Sequence, residues 1–201
     1  MKQLTLFLFA FLLLACQPEK QSDNGTDNSM PELSEELSGY LDNFSKTELP
    51  LEIRACFVDV EGLPLFESEE YAKYASEYMM PYGQIPTNGD YLATITLSQG
   101  ECYFPVLTTY TPDGKVIDQE SIAVGLCPTN CVNYCSEYMI LRDDFSFYTA
   151  DTLNVYECDD MGDPIPGSER NYVIYKEGKL LQNGKIEISE EIEKELESIV
   201  G

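Results

Sequence analysis

The sequence predicts an α+β fold that is mainly antiparallel β, a sandwich or partly closed barrel with short peripheral helices. Three observations carry that expectation. Short segments rich in β-branched and aromatic residues recur between residues 53 and 188, and glycine-containing turns separate many of them, as antiparallel hairpins require. No helices alternate regularly with these segments, which disfavours a parallel, doubly wound sheet. Six cysteines follow Cys16, an even set that in an exported chain implies up to three disulfides.

The N-terminus supplies the argument for export. Lys2 is a single positive charge, Leu4 to Leu14 is apolar except for Thr5, and the small residue Ala15 precedes Cys16; these are the three parts of an export signal. The run is too short to span a membrane as a helix, which takes about 20 apolar residues. Residues 1–15 therefore read as a cleavable signal, 16–30 as a lipidated cysteine and flexible tether, and 31–201 as one disulfide-stapled β-rich domain. The string Leu13-Leu14-Ala15-Cys16 resembles the lipobox of lipoprotein signal peptidase. That resemblance implies a diacylglyceryl group on Cys16 and the lipid bilayer as a partner, because two or three acyl chains anchor a protein stably where one does not. Gln17 stands where an aspartate would favour inner-membrane retention, so the resemblance implies the outer membrane, facing periplasm or cell surface. The polar stretch from Gln17 to Pro31 lacks any apolar period and reads as a disordered tether reaching up to about 43 Å from the bilayer. The first twenty or so residues resemble those of small outer-membrane lipoproteins of Bacteroidota.

Within the domain, Leu33, Leu37, Tyr40, Leu41 and Phe44 follow Pro31 at helical spacing and predict a short amphipathic helix. A second helix is expected after Ser68, with Tyr71, Tyr74, Ala75, Tyr78 and Met79 on one face and Pro81 as its stop. A third is expected after Ser189, with Ile192, Leu196, Ile199 and Val200 on the side that caps a sheet. Strands are expected over 53–60, 91–98, 102–110, 115–124, 135–141, 145–157, 171–176 and 179–188. Asp113-Gly114 supplies the strongest hairpin turn; Lys176 to Lys179 and Asn183 to Lys185 are weaker turn signals. Phe145, Phe147, Leu153 and Val155 share one parity, so that strand is half buried, and Pro105 points to an edge or bulged position.

Hairpin geometry narrows the pairing of Cys56, Cys102, Cys127, Cys131, Cys135 and Cys158. A two-residue turn at Asp113-Gly114 puts position 125 opposite Cys102, which favours a Cys102–Cys127 bond across a bend at Gly125. A second turn centred on Asp143-Asp144 puts Cys131 opposite position 156 and near Cys158. Cys56 then takes Cys135 by elimination, with Cys131 free to exchange roles with either neighbour.

Charge and residue inventory exclude several chemistries. Twelve Lys and Arg stand against 36 Asp and Glu, a net charge of −24, which repels phosphate backbones and makes nucleic acid an unsuitable partner. The chain has no histidine, so Ser-His and Cys-His nucleophile pairs and imidazole zinc sites are absent. The run from Cys127 to Cys135 resembles, one residue too long, the cysteine cluster of iron–sulfur radical enzymes. Disulfides suit an oxidising compartment better, and zinc lacks the usual Cys-x-x-Cys pairs. Asp159, Asp160, Asp163 and Glu169 lie in one loop and offer the oxygen donors that calcium accepts. The loop lacks EF-hand order, and a solvated acidic turn explains it more simply. Asp151-Thr152-Leu153 resembles the O-glycosylation signal of exported Bacteroidota proteins, with a buried strand as the competing reading. No cofactor is expected.

These readings lead to a membrane-anchored envelope lipoprotein with a non-enzymatic binding or structural role, meeting an envelope protein or glycan. Two alternatives remain: a carboxylate-dependent glycan hydrolase, which needs acids about 5 to 10 Å apart in a cleft, and an inhibitor or immunity-type lipoprotein that turns its acidic face to a basic partner.

Overall fold

The computed structural model describes residues 33–66, 71–76, 78–88, 90–100, 102–125, 127 and 130–196; the export signal, Cys16 and the tether lie outside them. Helix α1 (Glu35–Leu41) begins where Ser34 accepts the Leu37 N–H on its hydroxyl, with Glu35 and Glu36 in the first turn, a favourable charge at that end. Its buried face, Leu37, Tyr40 and Leu41, joins Phe44, Phe66, Tyr74 and Tyr110 in a satellite core of aromatic rings.

Two sheets make up the body. The first has the order β1 (Ser45–Lys46), β3 (Met80–Ile85), β4 (Leu92–Gln99), β5 (Tyr103–Tyr110), β6 (Val116–Ser121). The second has the order β10 (Ile186–Ile188), β9 (Arg170–Leu180), β8 (Ser146–Val155), β7 (Val132–Leu141), β2 (Leu51–Ile53), with β11 (Ile192–Glu195) also on β9. Every pairing is antiparallel except β1 with β3. Ile95, Leu97 and Leu107 of the first sheet share one core with Ile53, Met139, Leu141, Phe147 and Leu180 of the second. Each residue of this set is at most 2% exposed. The sheets are open, an arrangement consistent with a β-sandwich rather than a barrel.

The hairpin at Asp113-Gly114 forms in the expected register, with Val106 opposite Ser121 and Thr109 opposite Asp118. Gly114 takes φ +84° and a bulge at Thr109/Tyr110 absorbs the extra turn residue. The Asn183–Lys185 turn also forms, closed by the Leu181 N–H on the Lys185 carbonyl.

Other expectations are corrected. Helix α1 is the one α-helix among the described residues: Tyr71 to Ser76 forms isolated turns, and Ile192–Glu195 is strand β11, while Ile199 and Val200 of the expected third helix lie outside the described residues. The spacing of Ile192 and Leu196 fits a helix, but backbone pairing of Ile192 with Tyr175 and of Lys194 with Val173 satisfies this stretch as an added strand. Pro81, read as a helix stop, lies within β3, a strand that the tyrosine and methionine stripe concealed. Of the strand expected over 53–60 only Ile53 pairs, at the end of β2 (Leu51–Ile53), and residues 54–63 run through turns and irregular backbone. Pro105 sits in β5, an inner strand, not at an edge.

Lys176 to Lys179 is no turn: β9 runs straight through it, and Gly178 pairs with Phe147 on one side and Ile188 on the other. A glycine is needed there because a Cβ would lie 2.1 Å from the Phe147 ring and 2.4 Å from the Glu187 carbonyl. Gly178→Ala is expected to cost about 1–3 kcal/mol, since crowding against backbone cannot relax cheaply. Urea unfolding checks this, and a change below about 0.5 kcal/mol, the range of neutral surface substitutions, contradicts it.

Candidate functional site

The inner face of β7, β8 and β9 is divided. One half is the apolar core around Met139, Leu141, Phe147 and Leu180. The other half carries Glu137 on β7, Thr149 and Asp151 on β8, and Lys176 on β9, the last directly opposite Thr149. Glu137 and Asp151 are direct cross-strand partners, a relation that sets their Cβ atoms about 5 Å apart. They are only 3% and 2% exposed, and Thr149 is fully buried.

The chain leaving β6 closes this polar half. Ile122, Ala123 and Val124 are buried. The Lys176 ammonium donates to the carbonyls of Ala123 at 3.2 Å and Val124 at 3.3 Å and pairs with Glu191 at 3.0 Å. Farther along, the Cys127–Cys135 disulfide fastens the same segment to β7. Both of its sulfurs and a carboxylate oxygen of Asp151 lie within 4.8 Å of one another. Beside this closure a cleft of about 350 Å³ is lined by Phe104, Val106, Ser121, Ala123, Val124 and Lys176 among others.

Burial controls the electrostatics. Desolvation, reinforced by the charge of Asp151 and opposed by Lys176, pushes the Glu137 carboxyl up to about 8. Desolvation, reinforced by Glu191 and opposed by Lys176, raises Asp151 to about 6. Near neutral pH the pair therefore holds one proton, on Glu137. Such a pair can hold a proton or a cation, or act as acid and base on a group that reaches it.

The six domain cysteines form three disulfides: Cys56–Cys102, Cys127–Cys135 and Cys131–Cys158. The Cys131–Cys158 bond is the expected one, and the Tyr156 N–H donates to the Cys131 carbonyl. The other two pairings correct the expected Cys102–Cys127 and Cys56–Cys135 bonds. Pro105 explains the change. The Ile122 N–H donates to the Pro105 carbonyl, but proline has no N–H to return the second bond of an antiparallel pair. The β5–β6 ladder ends there, the chain crosses to the second sheet, and Cys127 meets Cys135. Cys102 instead lies beside the turn after β2, where the Tyr103 N–H donates to the Ala55 carbonyl and Cys56 is in reach. The Cys56–Cys102 bond joins the two sheets.

Asp159, Asp160, Asp163 and Glu169 are all exposed. One Asp159 oxygen accepts the backbone N–H groups of Met161 and Asp163, both at 2.9 Å, so this carboxylate shapes its own turn. Thr152 is half buried and has the opposite parity to Asp151 and Leu153 on β8.

The acid pair was not legible in the sequence because the register of the second hairpin is off by one. The turn holds three residues, Asp143 to Phe145, with Phe145 at φ +62°, and Arg142 faces Ser146. A two-residue turn would have set Asp151 opposite Ser136; the extra residue sets it opposite Glu137. Cys131 still meets position 156 because a bulge between Val132 and Tyr134 restores the count. The parity of Phe147 and Leu153, both buried, already placed Asp151 on the inner face. On β7 the signal was ambiguous, since Tyr138 and Ile140 are as apolar as Met139 and Leu141.

The chain matches no protein family, no curated protein and no solved structure. Its function is therefore argued from this geometry and from the N-terminal sequence. No helix among the described residues is long and apolar enough to cross a membrane.

Proposed function

We propose that the protein is a lipid-anchored envelope module of the outer membrane with a non-enzymatic binding or structural role. The observation that supports a non-enzymatic role is the position of Glu137 and Asp151. A glycan hydrolase needs its acids on an open cleft where a sugar ring fits between them, whereas these two are 3% and 2% exposed behind a segment held by Lys176 and a disulfide. Three disulfides joining strand ends and sheets suit an exported domain. The lipobox-like string ending in Cys16 supplies the anchor.

Membrane fractionation tests the anchor. The wild-type chain is expected in the detergent-soluble membrane fraction, and Cys16→Ala in the soluble fraction. A wild-type chain that is soluble without detergent contradicts the proposal, as does a Cys16→Ala chain that stays with the membrane. Incubation of the purified protein with envelope glycans is expected to release no sugar; turnover lost in Glu137→Gln would establish the hydrolase instead.

A further inference from the structure

Among the described residues, four buried side-chain oxygens have no hydrogen-bond partner, and all four belong to one place: both oxygens of Glu137, one of Asp151 and the hydroxyl of Thr149. Leaving one such group unpaired costs about 1–3 kcal/mol, more if it is charged, so native proteins resolve such clusters with a water or an ion. The one cation of this polar half is engaged by an acid outside it. The Lys176 ammonium pairs with Glu191, which leaves the carboxylates of Glu137 and Asp151 without a neutralising partner.

We propose that Glu137, Asp151 and Thr149 form a buried site for one divalent cation of the calcium class. A single divalent ion balances the charge of both carboxylates, and the four orphaned oxygens are the donors it would take. The donors are all oxygen, the set that hard cations take. The neighbouring sulfurs are joined to each other and offer no thiolate to zinc. Calcium fits better than magnesium: it accepts bidentate carboxylates in irregular geometry, whereas magnesium demands a near-ideal octahedron. Water from the cleft beside Lys176 completes the coordination. The exposed acids at Asp159, Asp160 and Asp163 are not part of this site: they are solvated, and Asp159 is engaged by its own backbone. A cation competes with protons for these carboxylates, so its affinity rises with pH.

The test is calorimetric titration of the intact, disulfide-bonded protein, stripped with chelator, with calcium chloride. The expected result at pH about 8.5, above the Glu137 titration, is one calcium per chain. At pH about 6 the affinity should be at least about tenfold weaker, and magnesium should bind more weakly at either pH. Glu137→Gln and Asp151→Asn should each abolish binding, Thr149→Val should weaken it, and the double variant Asp159→Asn/Asp163→Asn should leave it unchanged. The three site variants are independent, so failure of one to fold leaves the others to decide. Absence of calcium binding at the higher pH overturns the proposal. Binding that survives Glu137→Gln overturns it, and so does binding lost in the Asp159→Asn/Asp163→Asn variant. The lipid-anchor proposal stands or falls separately, since Cys16 takes no part in this titration.

Discussion

Complete reduction of the three disulfides is expected to unfold the domain at physiological temperature. The loops they close span 46, 8 and 27 residues. In the chain-entropy account these correspond to about 4, 2.5 and 3.5 kcal/mol. Their sum, roughly 10 kcal/mol, is comparable to the whole stability of an ordinary domain, about 5–15 kcal/mol. Single-bond variants should rank accordingly: Cys56→Ser/Cys102→Ser loses most, because it removes the longest loop and the link between the sheets. Thermal melting with and without a phosphine reductant measures this. An unchanged melting temperature after alkylation has confirmed six reduced thiols would contradict it.

The second large effect is a stability that falls as pH rises from about 4.5 to about 8 when chelator is present. Burial raises the folded-state affinity of Glu137 and Asp151 for protons. Between the ordinary carboxylate range and the raised values, the folded chain thus binds more protons than the unfolded one, and stability declines with pH through that window. Below the window both states are protonated and the pair carries no charge penalty; above it the full penalty of burying charge is present. Glu137, pushed up to about 8, contributes roughly 3 to 5 kcal/mol of this decline. Exposed Asp113 and Asp144, both held below the usual carboxylate range by neighbouring hydroxyl groups, act in the opposite direction and only at the acid end. Glu137→Gln removes one titrating group and should flatten the profile, leaving the variant at least as stable as wild type at pH about 8.5. Urea unfolding across this range decides the matter, and parallel profiles for the two proteins would contradict the buried acid pair.

How far the fold was legible depended on which signals were local. The antiparallel class, the first hairpin and its register and the first helix follow from turn chemistry and periodicity within a few residues, whereas the Cys131–Cys158 bond came out as expected because a bulge offset the misread turn. The errors arise where a tertiary partner overrides such signals. Ile192 to Glu195 has a helical apolar pattern but finds a free edge on β9. Lys176 to Lys179 has turn composition, yet Gly178 stands in mid-strand to admit the Phe147 ring. The site itself depended on one residue: Phe145 at φ +62° is not a residue type that signals a left-handed turn position, so the three-residue loop went unread and Glu137 stayed unmatched with Asp151. Pro105 was informative but misassigned. It marks where a ladder stops, and that stop frees Cys102 for Cys56.

The most direct measurement is mass spectrometry of proteolytic peptides, kept unreduced, from the protein isolated out of membranes. One spectrum reads both the anchor and the staples. The expected result is an acylated N-terminal peptide beginning at Cys16, with linked peptides joining Cys56 to Cys102, Cys127 to Cys135 and Cys131 to Cys158. An N-terminal peptide that begins upstream of Cys16 or carries no acyl chain, or a linked peptide joining Cys102 to Cys127, would contradict the account.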